Sequence, residues 1–182
     1  MDVPELREPR ELPPEAPPDA LLDRLIERYA EGLLAYVRRF TDSWHDAEDV
    51  VQGALLKAHL AARRGATPGS EKAWIFTLAR NEMLNHLERR KTARRHQSAL
   101  ARDNDPSPER PAPVFDALHR EIERLAPATR EAVALKYLHG LSVDETAEVL
   151  KVSPGTIKQL VFRALQTLRN RLGPGPWEDK RP

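Results

Sequence analysis

The sequence predicts an all-α protein of two small helical domains joined by a flexible, Pro-rich linker. Apolar residues recur at three- and four-residue spacing in both halves of the chain, which is the period of an amphipathic helix. Strand signals are missing, because only 5% of the residues are aromatic and no segment alternates apolar and polar residues over a strand length. Of the 16 prolines, 13 fall at 4–18, 106–113 and 174–182, and such clusters mark chain outside packed helices.

The proline clusters divide the chain into five segments. We expect a disordered acidic tail at 1–19, a first domain at 20–96, a linker at 97–113, a second domain at 114–173 and a disordered tail at 174–182. At roughly 60 residues, the second domain is near the lower size limit for a self-supporting core. The linker can extend over roughly 55 Å, which would allow the two domains to occupy separate sites.

Composition narrows the class of protein. The chain has 29 Lys and Arg against 28 Asp and Glu, and its 40% hydrophobic and 31% charged residues are typical of a soluble protein. It has no cysteine, which excludes disulfides, metal ligation by Cys and thiol catalysis. No apolar run approaches the roughly 20 residues that span a bilayer, and the acidic N-terminus is unlike a signal peptide. We therefore expect a cytoplasmic monomer that makes no membrane contact of its own.

The first domain contains three amphipathic patterns. Apolar residues with helical spacing run over 22–40, 50–58 and 74–87. The sequence Thr-Pro-Gly-Ser at 67–70 separates the second helix from the third. The spacing of Trp74 favours a core position, and stacking on a nucleic-acid base is the alternative.

The second domain has the capping residues of a helix-turn-helix. Helices are expected near 115–124, 128–138, 142–150 and 154–171. Ser142 and Glu145 can form a capping box for the third helix, while Ser153 and Pro154 suit the start of the fourth. Two helices joined by a short turn are the layout in which the second helix enters the DNA major groove. A plain helical hairpin is the alternative.

Charge is unevenly distributed along the chain. Four acids and no Lys or Arg occupy 42–49, and six acids against two Arg occupy 1–20. Six basic residues against two acids occupy 80–95, and five basic residues with no acid occupy 151–171. A basic helix face is typical of phosphate binding, and an ordinary solvated face is the alternative for any one run.

Three stretches carry a family resemblance. They are DAEDVVQGALLKAH at 46–59, KAWIFTLARNEMLNHLERRK at 72–91 and LSVDETAEVLKVSPGTIKQLVFRALQTLR at 141–169. With these stretches the chain resembles group 4, the extracytoplasmic-function (ECF) type, of the sigma-70 family of bacterial RNA polymerase sigma factors. The first resembles that family's polymerase-binding helix, the second its −10 recognition and melting helix, and the third its −35-reading domain. The three stretches stand in the family's order.

The resemblance implies a transcription initiation factor that directs promoter-specific transcription and is not an enzyme. No cofactor is implied. The implied partners are the β′ clamp helices and the β flap of core RNA polymerase, promoter DNA and an anti-sigma factor. A sigma-like decoy that binds a regulator such as an anti-sigma factor without initiating transcription is the main alternative, and a one-component transcription regulator is another.

The resemblance also implies three sets of contact residues. The residues implied to bind core polymerase are Asp46, Glu48, Asp49, Gln52 and Leu56. Contacts with the −10 element fall to Arg80, Asn81, Asn85, Arg89, Arg90 and Lys91. Contacts with the −35 element fall to Ser153, Gly155, Thr156, Lys158, Gln159, Phe162 and Arg163. These roles suit the chemistry, since carboxylates complement a basic partner and cationic side chains complement phosphates. A metal site or a solvated acidic face is the alternative for the carboxylates.

Four positions depart from the family pattern. Leu160 stands where the family usually has Arg, which removes one expected phosphate contact. Lys151 replaces the usual turn Gly, so a left-handed conformation there would cost roughly 1 kcal/mol. Gly53 replaces an acid in the polymerase-binding helix, and His59 replaces Trp. These changes bear on promoter preference and polymerase affinity rather than on the fold.

Overall fold

The computed structural model describes residues 18–96 and 113–173, and its regular structure over these ranges is entirely helical. The all-α prediction is therefore confirmed. The first group of helices comprises α1 (Pro18–Val37), α2 (Trp44–Ala62) and α3 (Glu71–His96). The second group comprises α4 (Pro113–Glu123), α5 (Pro127–Val133), a π-helical segment (Ala134–Leu138), α6 (Val143–Leu150) and α7 (Pro154–Leu172).

The predicted boundaries need small corrections. Helix α1 begins at Pro18, so the predicted tail at 1–19 overlaps it by two residues. Helix α4 begins at Pro113, which was assigned to the linker. Proline lacks only a donor that the first helical turn leaves unused, so it can start a helix as well as interrupt one. The rest of the predicted tails and linker lies outside the described residues, and the independence of the two domains stays a prediction.

The turn between α6 and α7 has the predicted caps. The Ser142 hydroxyl accepts a hydrogen bond from the Glu145 amide at 3.1 Å, and the Glu145 carboxylate accepts one from the Ser142 amide at 2.8 Å. The Ser153 hydroxyl accepts from the Thr156 amide at 3.1 Å, which starts α7. Between them, Lys151 has φ 56° and ψ 45°, the left-handed conformation that the missing glycine implied.

The helix predicted at 128–138 is not uniform. Helix α5 ends at Val133, and the chain continues as a π-helical segment in which the His139 amide donates to the Ala134 carbonyl at 3.0 Å. This wider turn buries Leu135 and leaves Tyr137 exposed. Local propensity does not signal such a segment, because π turns are rare and depend on tertiary packing.

The two groups of helices pack directly against each other and share one apolar core. Its members include Leu33 and Phe76 from the first group and Leu135, Val149 and Ile157 from the second. Trp74 also packs against this core, as its spacing predicts. A smaller cluster lies within the second group, formed by Ile122, Leu125, Val133, Ala164 and Leu168. Among the described helices, none is both long enough and apolar enough to cross a membrane.

Candidate polymerase and nucleic-acid interfaces

Helix α2 exposes a stripe of polar and apolar side chains that we call the α2 stripe: Asp49, Gln52, Leu56 and Leu60. Their spacing of three and four residues places them on one side of the helix. Glu48, which lies four residues before Gln52, is partly buried beside them. Leu60 was not among the predicted residues, although the same helical spacing from Leu56 was a signal for it.

Asp46 belongs to the predicted polymerase set but lies apart from the α2 stripe. Only 20% of its side chain is exposed, and one carboxylate oxygen accepts a hydrogen bond from Arg90 Nη1 at 2.5 Å. Its other oxygen lies 3.3 Å from His86 Nε2. Asp46 therefore joins α2 to α3 through the side chain of a predicted −10 contact.

Helix α3 divides the predicted −10 set into two parts. Asn85, Arg89 and Lys91 are exposed along the C-terminal half of the helix, and Asn81 is partly buried one turn before Asn85. Arg80 is different, because only 18% of its side chain is exposed and its guanidinium pairs with Glu131 of α5. The structure thus leaves the outer part of the basic track accessible and covers its beginning.

Helix α7 presents all seven predicted −35 residues at its surface. They lie at the N-terminal end of the helix and along the side opposite its buried residues Ile157, Val161, Ala164 and Leu168. Phe162 has 61% of its surface exposed, so its ring is accessible to a partner. The Ser153 hydroxyl caps the helix and lies 2.9 Å from the Thr156 hydroxyl, so these two residues also shape the N-terminus.

Leu160 is partly buried and packs against the shared core. The family's usual arginine at this position was expected to contact a phosphate. The leucine instead contributes apolar contact within the protein, so the expected loss of a phosphate contact is matched by a gain in packing.

Glu131 lies at the contact between the two groups of helices. Its carboxylate accepts hydrogen bonds from Tyr36 Oη at 2.6 Å and from Arg80 Nε at 2.8 Å. Burial, followed by the nearby Glu131 carboxylate, raises the pKa of Tyr36 well above its usual value, so the phenol stays a donor. Sequence reasoning missed Glu131, since its partners lie 95 and 51 residues away along the chain.

Three further polar contacts cross the same boundary. Arg39 pairs with Glu123 at 3.1 Å, and Lys72 Nζ donates to the Gly140 carbonyl at 3.0 Å. The Ser70 hydroxyl donates to Glu145 at 2.6 Å. This bond and the Ser142 amide lower the pKa of the Glu145 carboxyl, because both stabilise its charged form.

His139 is partly buried and lies against two aromatic rings at this boundary. Its imidazole lies 5.8 Å from the Tyr36 ring and 5.2 Å from the Phe76 ring, and its Nε2 has no hydrogen-bond partner. Burial lowers the pKa of His139 to about 4, and the cations of Arg39 and Lys72 act in the same direction. The described part of the chain contains no group of three or more His, Asp or Glu side chains arranged to hold a metal ion.

Comparison with known proteins gives consistent matches over both groups. The family description Sigma-70 region 2 matches residues 25–93, and Sigma-70, region 4 matches residues 115–168. The RNA polymerase sigma-H factor of Pseudomonas aeruginosa is 27% identical over 160 residues, which cover 80% of this chain and 83% of that protein. The ECF RNA polymerase sigma factor SigL of Mycobacterium tuberculosis is 32% identical over 149 residues, which cover 78% and 82%.

Other matches differ in how much of the relative they cover. SigM of M. tuberculosis, also an ECF RNA polymerase sigma factor, is 33% identical over 130 residues, and the chain spans 65% of its length. Among solved structures, the sigma factor RpoE of Bartonella quintana in complex with the anti-sigma factor NepR has a TM-score of 0.64 and 25% identity. That match covers 82% of this chain and 95% of RpoE.

Proposed function

This chain belongs to the ECF group of the sigma-70 family and is a promoter-specific RNA polymerase sigma factor, and we propose that α2 binds core polymerase while α3 and α7 contact the promoter. Members of the family are DNA-binding initiation factors rather than catalytic enzymes. We further propose that this chain itself has no catalytic activity, acts in the bacterial cytoplasm where its polymerase works, and is regulated by an anti-sigma factor, as RpoE is bound by NepR.

The α2 stripe and Glu48 form the proposed polymerase contact. The stripe begins with the Asp49 carboxylate and continues through Gln52 to Leu56 and Leu60. Such a surface offers an anion for a basic partner and apolar area that is buried on binding. The predicted partner, the β′ clamp helices, is proposed from the resemblance. Asp46 is proposed here as a residue that positions Arg90 rather than as a polymerase contact.

The exposed side of α7 is the observation that carries the −35 assignment. Lys158 and Arg163 supply cationic groups for phosphates or a guanine edge, and Gln159 suits an adenine edge. Phe162 can pack on a thymine methyl group. The start of α7 favours a phosphate, since a helix N-terminus carries partial positive charge. The β flap is proposed as a further partner of this second group.

The −10 contact is proposed for α3. Arg89, Arg90 and Lys91 provide a track for the phosphate backbone, and Asn81 and Asn85 lie one turn apart for hydrogen bonds to base edges. Arg80 joins this set only when its ion pair with Glu131 is broken, because the pair neutralises the guanidinium and the contact with α5 leaves only 18% of its side chain exposed.

Two pairs of variants test these assignments. Asp49→Ala is expected to weaken core polymerase binding about tenfold, while Asp144→Ala, at an exposed acid of α6, leaves it unchanged. Arg163→Ala is expected to weaken promoter binding by the holoenzyme by about tenfold or more, while Arg171→Ala near the end of α7 has little effect. The polymerase assignment fails if Asp49→Ala keeps full affinity for core polymerase. The −35 assignment fails if Arg163→Ala weakens polymerase binding and promoter binding equally.

A further inference from the structure

We propose that Glu131 locks the two groups of helices together in the free protein and occupies Arg80, so that Arg80 becomes available to promoter DNA only when the groups separate. The release step rests on the proposed function, specifically on the assignment of Arg80 to the −10 contact. The lock itself rests on the contacts between the two groups.

The lock consists of one carboxylate and two donors from the opposite group. Glu131 is 8% exposed, and both of its described side-chain partners, Tyr36 and Arg80, belong to the first group of helices. A carboxylate buried to this extent is costly unless it is paired. Within the described contacts, its pairing is satisfied only while the two groups are docked. The docked state is therefore the one in which Arg80 is neutralised.

The shared apolar core favours docking, and the contacts around it at this boundary are polar. Arg39–Glu123, Lys72–Gly140 and Ser70–Glu145 are polar contacts whose atoms water can satisfy equally well after separation. His139 adds an unsatisfied nitrogen to the docked state, since its Nε2 is buried without a partner. Such a group opposes docking, and it regains hydrogen bonds to water when the groups separate.

The docked state cannot read a promoter. The positions −35 and −10, after which the two elements are named, lie about 25 base pairs apart, or roughly 85 Å along B-form DNA. A compact domain of this size is roughly 27 Å across, so two domains in direct contact span only about 55 Å. Reading both elements therefore requires the groups to separate, and separation removes Glu131 from Arg80. In the free protein the Glu131 carboxylate therefore binds the Arg80 guanidinium, and in the promoter complex a phosphate binds it instead.

Distances within the free, full-length chain test the lock directly. The sequence has no cysteine, so cysteines introduced at exposed Glu27 in α1 and Glu148 in α6 are the only thiols in the chain. A donor and an acceptor dye attached to them report the distance between the two groups by energy transfer. Glu131→Gln removes the charge with little change in volume, and it is expected to raise the ratio of open to docked molecules about tenfold or more. Far-UV circular dichroism verifies that the helices are retained.

A matched control exists within the second group. Glu121 has 12% of its side chain exposed, against 11% for Glu131, and pairs with Arg124 and Arg171 of its own group. Glu121→Gln should therefore leave the dye distance unchanged. A charge exchange gives a second test, because Arg80→Glu alone should open the chain and Arg80→Glu with Glu131→Arg should restore docking. An unchanged distance in Glu131→Gln would overturn the lock.

Binding of a short mixed-sequence DNA single strand tests the release of Arg80 separately. Glu131→Gln should bind the strand about tenfold more tightly than Glu121→Gln does, since opening frees a cationic side chain. If Glu131→Gln opens the chain but does not bind the strand more tightly, the release of Arg80 is overturned and the lock is not. Arg80→Ala in the Glu131→Gln background then decides the −10 assignment itself, because unchanged binding there would show that the proposed role of Arg80 has failed.

Discussion

Asp46 and Arg90 lie in different helices, and the Arg90 guanidinium donates a hydrogen bond of 2.5 Å to the Asp46 carboxylate. His86 Nε2 lies 3.3 Å from the other oxygen but makes no hydrogen bond, so the bond between the carboxylate and α3 is the one from Arg90. The family resemblance placed Asp46 among polymerase contacts and Arg90 among DNA contacts. The structure joins these two predicted sets, and Asp46 therefore has a role in orienting the basic track.

Asp46→Ala is expected to weaken −10 DNA binding several-fold and to leave polymerase binding close to that of the wild type. The reason is that Arg90 loses its charge-assisted bond to Asp46 and keeps only the longer ion pair with Asp42 at 3.3 Å, and the free energy of unfolding should fall by about 1.5–3 kcal/mol. Fluorescence anisotropy with a −10 strand and titration with core polymerase measure the two affinities. Asp49→Ala serves as the matched variant with the opposite pattern, and a loss of polymerase binding equal to that of Asp49→Ala would support a direct contact by Asp46.

Lys151→Gly is expected to raise the free energy of unfolding by up to about 1 kcal/mol. Lys151 has a positive φ of 56°, and a side chain in the left-handed region clashes with its own backbone, whereas glycine adopts it freely. Urea unfolding of the full chain measures the change. Lys151→Ala is the control, since it removes the same charge and keeps the strain. Equal stabilities of the two variants would show that the turn is not strained.

Acidification is expected to destabilise the docked protein through His139. Its pKa is lowered to about 4 in the structure, because burial and the cations of Arg39 and Lys72 disfavour the imidazolium. In an open or unfolded chain, the pKa of histidine is about 6.5, so those states bind the proton more tightly. The docked protein therefore has its full free energy of unfolding above pH 6.5. This free energy decreases as the pH falls from about 6.5 to 4.

The rate of this loss has an upper limit of about 1.4 kcal/mol per pH unit, since one proton is bound on opening or unfolding. Urea unfolding at a series of pH values measures it. His139→Phe keeps a ring beside Tyr36 and Phe76 but cannot bind the proton, so its pH dependence should be shallower over this range. Identical profiles for the wild type and His139→Phe would rule out this role of the imidazole.

Leu160→Arg is expected to steepen the salt dependence of promoter binding. One additional phosphate contact changes the slope of log K against log salt by about one unit. The same change should lower the free energy of unfolding by about 1 kcal/mol, because Leu160 packs against the shared core. Asn170→Arg adds the same charge at an exposed position further along α7 and is the control. Equal slopes for the two variants would show that position 160 does not face DNA.

Sequence reasoning succeeded where the chemistry is local. The capping box of Ser142 and Glu145 and the N-cap at Ser153 involve residues three positions apart, so the sequence contains each complete interaction. The left-handed conformation of Lys151 came from the resemblance instead, since Lys151 stands where the family usually has a turn Gly. The exposed side of α7 was predictable in the same way, because the helical period separates its apolar residues from Lys158 and Arg163.

The ion pairs that Arg80 and Asp46 form within the chain were not predictable in this way. Arg80 pairs with a residue 51 positions away, and Asp46 pairs with one 44 positions away. Such pairs depend on how separate helices dock, which periodicity and capping do not encode. The resemblance described residues by their roles on polymerase and DNA, whereas the structure shows the partners they have within this chain. Leu160 illustrates the same limit, since its packing against the shared core explains a departure that the motif only recorded.

Transcription with purified components tests the central claim most directly. Core polymerase is given templates with randomised −35 and −10 segments, with the wild-type chain, Asp49→Ala, Arg163→Ala or no added factor. The account predicts promoter-specific transcripts only with the chain present, fewer of them in Asp49→Ala because polymerase binding is weaker, and an altered or weakened −35 preference in Arg163→Ala. Binding of the wild-type chain to core polymerase without transcripts from any template would contradict the account.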